Sequence, residues 1–170
     1  MALKPQDVLV LLKIALQRQD ESWTYDSLAK QLSMSAAEVH AATKRAAAAG
    51  LMEPSTRRLN RTALMELIEH GLKYVFAPDR GGITRGIPTA HGASPLKEHL
   101  AREPNDIPPV WPSPKGTVRG ESLSPLYKSA PAAAARDSKL YECLALVDAI
   151  RAGRARDRKL AVSMLAERLR

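Results

Sequence analysis

Proline divides this 170-residue chain into three parts. Ten of the 12 prolines and six of the nine glycines fall between Pro78 and Pro131. Because proline lacks a backbone N–H and fixes φ, this middle stretch cannot be a run of long helices. The flanking parts are rich in alanine and leucine, which favour helix. The sequence therefore predicts a mainly α protein with a helical head over 1–77, an extended Pro-rich middle segment over 78–131 and a helical tail over 132–170.

The middle segment contains a proline-rich run, Pro108–Pro112, around the isolated Trp111. Runs of this kind take extended conformations and can lie across an apolar surface of the same or another chain. Scattered apolar residues favour an extended arm packed on a partner subunit, and a flexible linker is the alternative.

Charge and cysteine content limit the class of protein. Lys plus Arg number 26 against 18 Asp plus Glu, a formal net charge of +8, which indicates an anionic partner such as nucleic acid. No apolar run approaches the roughly 20 residues that cross a bilayer, so no membrane span is predicted. The single cysteine, Cys143, cannot form an internal disulfide, and the first residues lack the pattern of a signal peptide. We therefore expect a cytoplasmic protein.

The sequence shows no pattern typical of an enzyme active site. Its four histidines are scattered, without a metal-binding motif. Cys143 falls on an apolar helical stripe, which is a poor position for a nucleophile. We expect a protein that is not an enzyme, with no cofactor and no metal site.

Residues 24–50 have the boundaries and spacing of a helix-turn-helix unit. Thr24 is placed to cap one helix, and Ser35 with Glu38 forms a capping box for the next, which ends at Gly50. The turn of such units often carries glycine, whereas this chain has Ser33 at that position. An ordinary helical hairpin in a bundle would show the same spacing. Small and apolar residues lie where two helices must cross over a three-residue turn: Leu28, Ala29, Leu32, Met34, Val39 and Ala42.

On these residues the chain resembles the winged-helix transcription regulators, most closely those of the MarR type. The resemblance covers about residues 5–60 and rests on 24–32, on the turn Ser33-Met34-Ser35, and on the end of the third helix at 48–52. In that family the third helix enters the major groove of DNA, and a β-hairpin wing after it touches the minor groove or the backbone. Winged helices also serve as protein-docking modules, so the resemblance is more specific for fold than for function.

The resemblance implies that the outward face of the third helix contacts DNA. Ser35 and Lys44 suit phosphate, His40 suits a base edge or a phosphate, and the alanines allow close approach. Because the first two turns carry neither Arg nor Gln, we expect sparse base reading, and simple solvation is the alternative for His40. The implied contact residues are Ser35, Ala36, Ala37, His40, Ala41 and Lys44, with Arg45 at the edge.

The resemblance also implies a wing after the third helix, which is short in this chain. Seven residues separate Met52 from Asn60, too few for a long basic hairpin. Arg57 and Arg58 are expected to contact phosphate, and Arg61, at the start of the next helix, is expected to reach the DNA backbone. A solvated arginine cluster is the alternative.

The tail is predicted to form a C-terminal helical hairpin of two amphipathic helices separated by Gly153. Such helices must bury their apolar faces on the head or on another molecule, so we predict dimer or partner contact here. A solvated hinge is the alternative for the basic joint between the helices. As a second basic surface for nucleic acid or an acidic protein, this joint would offer Arg151, Arg154, Arg156, Arg158 and Lys159.

The sequence thus predicts a sequence-specific transcriptional regulator that binds double-stranded DNA as a homodimer and acts as a repressor. One short recognition helix buries little surface, so two copies of the chain should bind half-sites about one turn of the DNA duplex apart. The alternative is an antitoxin-like or complex-assembly subunit that holds a partner protein through its arm and C-terminal helices.

Overall fold

The head begins with three helices joined by a loop and a tight turn. In the computed structural model, which describes residues 1–18 and 21–170, these helices are α1 (Pro5–Ala15), α2 (Tyr25–Leu32) and α3 (Ala36–Ala48). A further helical stretch follows as α4 (Arg61–Glu66), a π-helical turn (Leu67–Gly71) and α5 (Leu72–Val75).

The predicted ends of α2 and α3 are confirmed. Thr24 Oγ1 accepts a backbone N–H of the first turn of α2 at 3.1 Å, and Ser35 Oγ accepts the N–H of Glu38 at 3.2 Å. Gly50 follows α3 in the left-handed conformation, at φ 75°. Ser33 takes the same conformation at the end of α2, with φ 53° and ψ 45°. Serine at this turn therefore carries the backbone strain that glycine would avoid.

The middle segment folds into a small closed sheet. Its strands are β1 (Arg80–Pro88), β2 (Pro109–Pro112) and β3 (Val118–Leu123), with a 3₁₀ turn (Ala90–Gly92) and α6 (Leu96–His99) between β1 and β2. β1 runs antiparallel to both other strands, and β2 pairs with β3 in parallel where Val110 meets Ser122. Closure brings the backbones so near that a Cβ on Gly120 would lie 2.2 Å from the carbonyl oxygen of Pro108.

The prediction of an extended arm or linker over 78–131 is wrong, because this segment covers the chain's own core. Trp111, the isolated aromatic residue of the proline-rich run, is 1% exposed. The neighbouring prolines are compatible with a strand, since Pro109 and Pro112 stand at the two ends of β2. Short strands bounded by proline show little of the alternation by which a strand is recognised in a sequence.

The tail contains α7 (Ala130–Ala134), α8 (Ser138–Ala152) and α9 (Ala155–Arg168), so the two predicted helices are confirmed. α8 is the central helix of the protein, because all of residues 143–151 are buried, and it packs against α1, α5, α7 and α9. This buried stretch has no face left for another molecule. The predicted dimer or partner contact is therefore wrong for residues 143–151, whereas α9 keeps an outer face.

One buried carboxylate ties α8 to the sheet. Asp148 accepts hydrogen bonds from Thr89 Oγ1, from the indole Nε1 of Trp111 and from Nη1 of Arg151, each at 2.7 Å. Burial raises the pKa of Asp148, and the charge of Arg151 is the strongest influence opposing that rise. The network joins the end of β1, β2 and α8, and thereby seats the sheet on the helical core.

A second polar cluster ties the stretch between β1 and β2 to α9. The ring of half-buried His91 lies between two carboxylates, with Nε2 3.4 Å from Asp106 Oδ2 and Nδ1 4.0 Å from Asp157 Oδ2. Arg102 donates to Asp157 at 2.9 Å. Burial, followed by the charge of Arg102, lowers the pKa of His91, and the two carboxylates oppose this.

Candidate nucleic-acid interface

The outward face of α3 is open. Ala37, His40 and Lys44 are exposed, whereas Val39 and Ala42 on the opposite side are buried. Lys44 forms no ion pair with any residue that the structure describes. The structure brings six of the predicted contact residues together at this face: Ser35, Ala37, His40 and Lys44, which are exposed, and Ala36 and Ala41, which are half-buried.

A capping network holds the start of α3. The N–H and the hydroxyl of Ser35 both donate to Glu38 Oε2 at 2.8 Å, and the hydroxyl of Tyr127 donates to Glu38 Oε1 at 2.8 Å. These hydrogen bonds, the backbone one first, lower the pKa of Glu38 to about 2. The hydroxyl of Ser35 is thus already engaged, and an ionised carboxylate lies beside the open face.

Four side chains form a continuous row beside α3, which we call the aromatic ladder: Trp23, Tyr25, His40 and Arg57. His40 lies edge-on to Tyr25 with ring centroids 5.0 Å apart, and Tyr25 lies edge-on to Trp23 at 5.6 Å. The guanidinium carbon of Arg57 is 4.8 Å from the Trp23 centroid. His40 is therefore positioned by its neighbours. Sequence reasoning missed Trp23 and Tyr25, whose only signal is an aromatic pair at the start of α2.

A short hairpin follows α3, in the segment where the resemblance implies a wing. Met52 pairs with Leu59 in a single β-bridge, and the N–H of Glu53 donates to the carbonyl oxygen of Arg58 at 2.8 Å. Arg57 has a left-handed backbone, at φ 55°, which is uncommon for this residue type. Arg57 and Arg58 are both exposed. The position of Arg57 is set by its backbone conformation and by its contact with the Trp23 ring.

Two of the predicted contact residues are structural instead. Arg45 is 8% exposed, and its Nε and Nη2 donate to the two carboxylate oxygens of Asp7 at 2.8 and 2.6 Å. Arg61 Nη1 donates to the carbonyl oxygens of Ala15 at 2.8 Å and Leu169 at 2.7 Å. Placing these two arginines in the DNA-contact set is therefore wrong, because acceptors inside the protein draw both guanidinium groups inward.

The predicted second basic surface is only partly present. Arg151 is buried and donates to Asp148, so its inclusion is wrong. Arg158 is half-buried and donates to the carbonyl oxygen of Gly153 at 3.1 Å. Arg151 is the last basic residue of α8, and the period of this helix turns it into the core. The exposed members are Arg154, Arg156 and Lys159.

Two other basic residues flank the turn between α2 and α3. Arg136 Nη2 contacts Ser33 Oγ within this turn. Lys128 directly follows Tyr127, whose hydroxyl donates to Glu38 at the start of α3. Both basic side chains are exposed. Sequence reasoning missed them because about a hundred positions separate them from the turn, and only the fold brings them there.

Residues 1–18 and 21–170 contain no group of three or more His, Cys, Asp or Glu side chains that could hold a metal ion. None of the helices in this part of the chain is both long enough and apolar enough to pass through a bilayer. Cys143 is buried, and burial raises the pKa of its thiol to about 12.

A comparison of the chain with protein-family models, with curated proteins and with solved structures finds no significant match.

Proposed function

We propose that this chain is a winged-helix transcriptional regulator of MarR-like type, which binds double-stranded DNA as a homodimer and acts as a repressor. In this proposal α1, α2 and α3 form the helix-turn-helix head, and the hairpin Met52–Leu59 is a short wing. The observation that carries the proposal is the outward face of α3, which the chain leaves uncovered next to a hairpin with two exposed arginines. A helix face of this kind suits insertion into the major groove.

The composition of the α3 face determines how it would read DNA. Ala37 and Ala41 are small enough for the helix backbone to approach base edges, and Lys44 reaches phosphate. His40, which Tyr25 positions, is assigned to a base edge. Sequence preference would therefore rest on few base contacts and on DNA shape, and phosphate contacts would supply most of the affinity.

Four exposed cations are placed to grip the phosphates around the α3 face: Arg57, Arg58, Lys128 and Arg136. Arg57 is pre-positioned on the aromatic ladder, so it loses little side-chain freedom on binding. Lys128 offsets the negative charge of Glu38, and Arg136 contacts the turn at Ser33.

A homodimer follows from the small size of one contact surface. A single 13-residue α3 is about 20 Å long, and specific affinity needs a second copy on a half-site about 34–36 Å away. A dimer covering both half-sites would block access of the transcription machinery, which is the action of a repressor.

The test is a gel-shift of the full chain against the DNA upstream of its own gene, repeated across salt concentrations. We expect a steep decrease of affinity with salt, because each phosphate contact releases counterions. The triple variant Lys44→Ala, Arg57→Ala, Arg58→Ala should weaken binding, and it should reduce the slope of log K against log salt by about one for each phosphate that is no longer bound.

The matched control removes three exposed charges from α9 and the residue before it, with Arg154→Ala, Arg156→Ala and Lys159→Ala. This variant should bind DNA as the parent chain does. If the control loses binding while the head variant keeps it, α9 is the nucleic-acid surface and the head-mediated proposal fails.

The alternative is a complex-assembly subunit that holds an acidic protein. One observation favours it: Tyr74 and Val75, at the end of α5, are 75% and 62% exposed beside Lys73 and the basic residues of α9. This alternative also expected the middle segment and α8 to hold the partner, but both pack into the chain's own core. Co-expression with the products of adjacent genes tests it, and Tyr74→Ser with Val75→Ser should then abolish a complex without affecting DNA binding.

A further inference from the structure

A groove of about 580 Å³ lies between the end of α1 and the hairpin that follows α3. Arginine dominates its lining, because Arg18, Arg57, Arg58 and Arg61 stand against one acid, Glu21, among the lining residues that the structure describes. A groove of this size accepts a small organic molecule, and its charge selects an anion.

The same groove contains a flat surface for stacking. Trp23 is half-buried in its wall, and the guanidinium of Arg57 lies over the Trp23 ring. Planar guanidinium and indole groups both stack on flat rings. The edge contact with Tyr25 and the left-handed backbone of Arg57 hold this surface in place before any ligand arrives.

We propose that this groove binds a nucleoside 5′-phosphate. The base stacks on the surface formed by Trp23 and Arg57, and the phosphate pairs with Arg58. Arg61 lies at the groove with its guanidinium fixed by two carbonyl oxygens, and it adds positive charge without moving.

A consequence for DNA binding rests on the proposed function. Arg57 and Arg58 serve both the nucleotide groove and the grip on DNA phosphate, so the two ligands compete for them. Binding linkage is reciprocal, and a nucleotide that fills the groove therefore lowers the affinity for DNA.

Tryptophan emission of the full chain measures binding to the groove. Trp23 lines the groove, whereas Trp111 is 1% exposed, so a ligand changes the emission of Trp23. The titrants are the four ribonucleoside 5′-monophosphates, with adenosine and inorganic phosphate as separate arms. We expect saturable quenching by at least one nucleotide, and binding about tenfold or more weaker for adenosine and for phosphate, which each lack one part of the ligand.

One variant and its matched control locate the site. Arg58→Ala should weaken nucleotide binding about tenfold or more. The control, Arg119→Ala on β3, changes an exposed residue away from the groove and should bind normally. The proposal is overturned by absence of saturable binding, by phosphate binding as tightly as the nucleotides, or by an Arg58→Ala variant that binds normally.

A gel-shift with saturating nucleotide then tests the coupling. Release of DNA supports it, and simultaneous binding of both ligands overturns the competition while leaving the groove assignment in place. If the chain binds nucleotide by the criteria above but no DNA, the proposed regulator fails and the groove stands. If it binds DNA but no nucleotide, the groove assignment fails and the regulator stands.

Discussion

Asp7 of α1 and Arg45 of α3 form a buried two-point ion pair, with the guanidinium nitrogens 2.6 and 2.8 Å from the two carboxylate oxygens. Asp7 is fully buried and also accepts the backbone N–H of Lys4 at 2.9 Å. Because α1 lies behind α3, this pair fixes the angle at which the open face of α3 is presented to solvent.

Removing one partner of this pair should cost far more than removing both. Arg45→Ala leaves a buried carboxylate uncompensated, and we expect the free energy of unfolding to fall by about 3–5 kcal/mol. The double variant Asp7→Leu, Arg45→Leu should fall by less, because no charge is left buried. Urea unfolding followed by circular dichroism measures both. An Arg45→Ala variant whose free energy of unfolding equals that of the parent chain would contradict the stabilising role of the pair.

Replacing Arg57 by glycine separates stability from DNA binding. Glycine relieves a left-handed backbone strain of about 1 kcal/mol, and the substitution removes a cation–π interaction of about 0.5–1 kcal/mol. The free energy of unfolding should therefore change by less than about 1 kcal/mol. The DNA affinity should fall several-fold, and a variant with full DNA affinity would remove Arg57 from the interface.

Closure of the sheet makes Gly120 intolerant of a side chain. Alanine there would place its Cβ 2.2 Å from the carbonyl oxygen of Pro108, and the backbone must shift. We expect Gly120→Ala to destabilise the chain by about 1–3 kcal/mol or more. The control is Gly82→Ala on β1, where a Cβ meets nothing within 4 Å and the melting temperature should hardly change.

Asp148 is the polar anchor of the sheet on the core. Asp148→Asn keeps the shape of the side chain but removes the charge that Arg151 pairs with. It also places an amide NH₂ group where Thr89, Trp111 and Arg151 already donate. We expect the free energy of unfolding to fall by about 3–5 kcal/mol. The near-ultraviolet circular dichroism of Trp111, which loses its partner, should change as well, and the exposed Asp26→Asn variant is the control.

His91 should make stability depend on pH. The pKa of His91 in the folded chain is lowered from 6.5, so the unfolded chain takes up the proton at a higher pH than the folded chain does. The free energy of unfolding therefore falls as the pH drops below about 6.5. The slope can reach about 1.4 kcal/mol per pH unit. Urea unfolding at pH 7.5 and 5.5 should show a smaller difference in His91→Gln than in the parent chain, and the exposed His70→Gln is the control.

The local signals in the sequence were strong where capping chemistry acts within a few residues. Thr24 and Ser35 mark the starts of α2 and α3, and Gly50 marks the turn after α3, because each satisfies or permits a specific backbone geometry. The two helices of the tail also follow from their apolar period. These features depend on neighbours in the chain, which a sequence displays directly.

Features that depend on distant partners were missed or misread. Arg45 appeared to lie at the edge of the α3 face, and only the position of α1 reveals that Asp7 turns it inward. Arg61 was misread for the same reason, since other elements contribute the carbonyl oxygens that accept from it. Arg151 likewise donates from Nε to the distant carbonyl oxygen of Phe76. The sheet was missed because its strands are closed by long-range pairing, which a short proline-bounded stretch does not reveal.

The buried position of α8 links the order of synthesis to the order of folding. The apolar sides of α1 and the helices after it leave the ribosome long before residues 138–152 exist to cover them. α8 packs against α1 and α5, and the sides of these helices that face it stay exposed until it is made. We therefore expect a chain that ends before Ser138 to expose apolar surface and to aggregate more readily than the full chain.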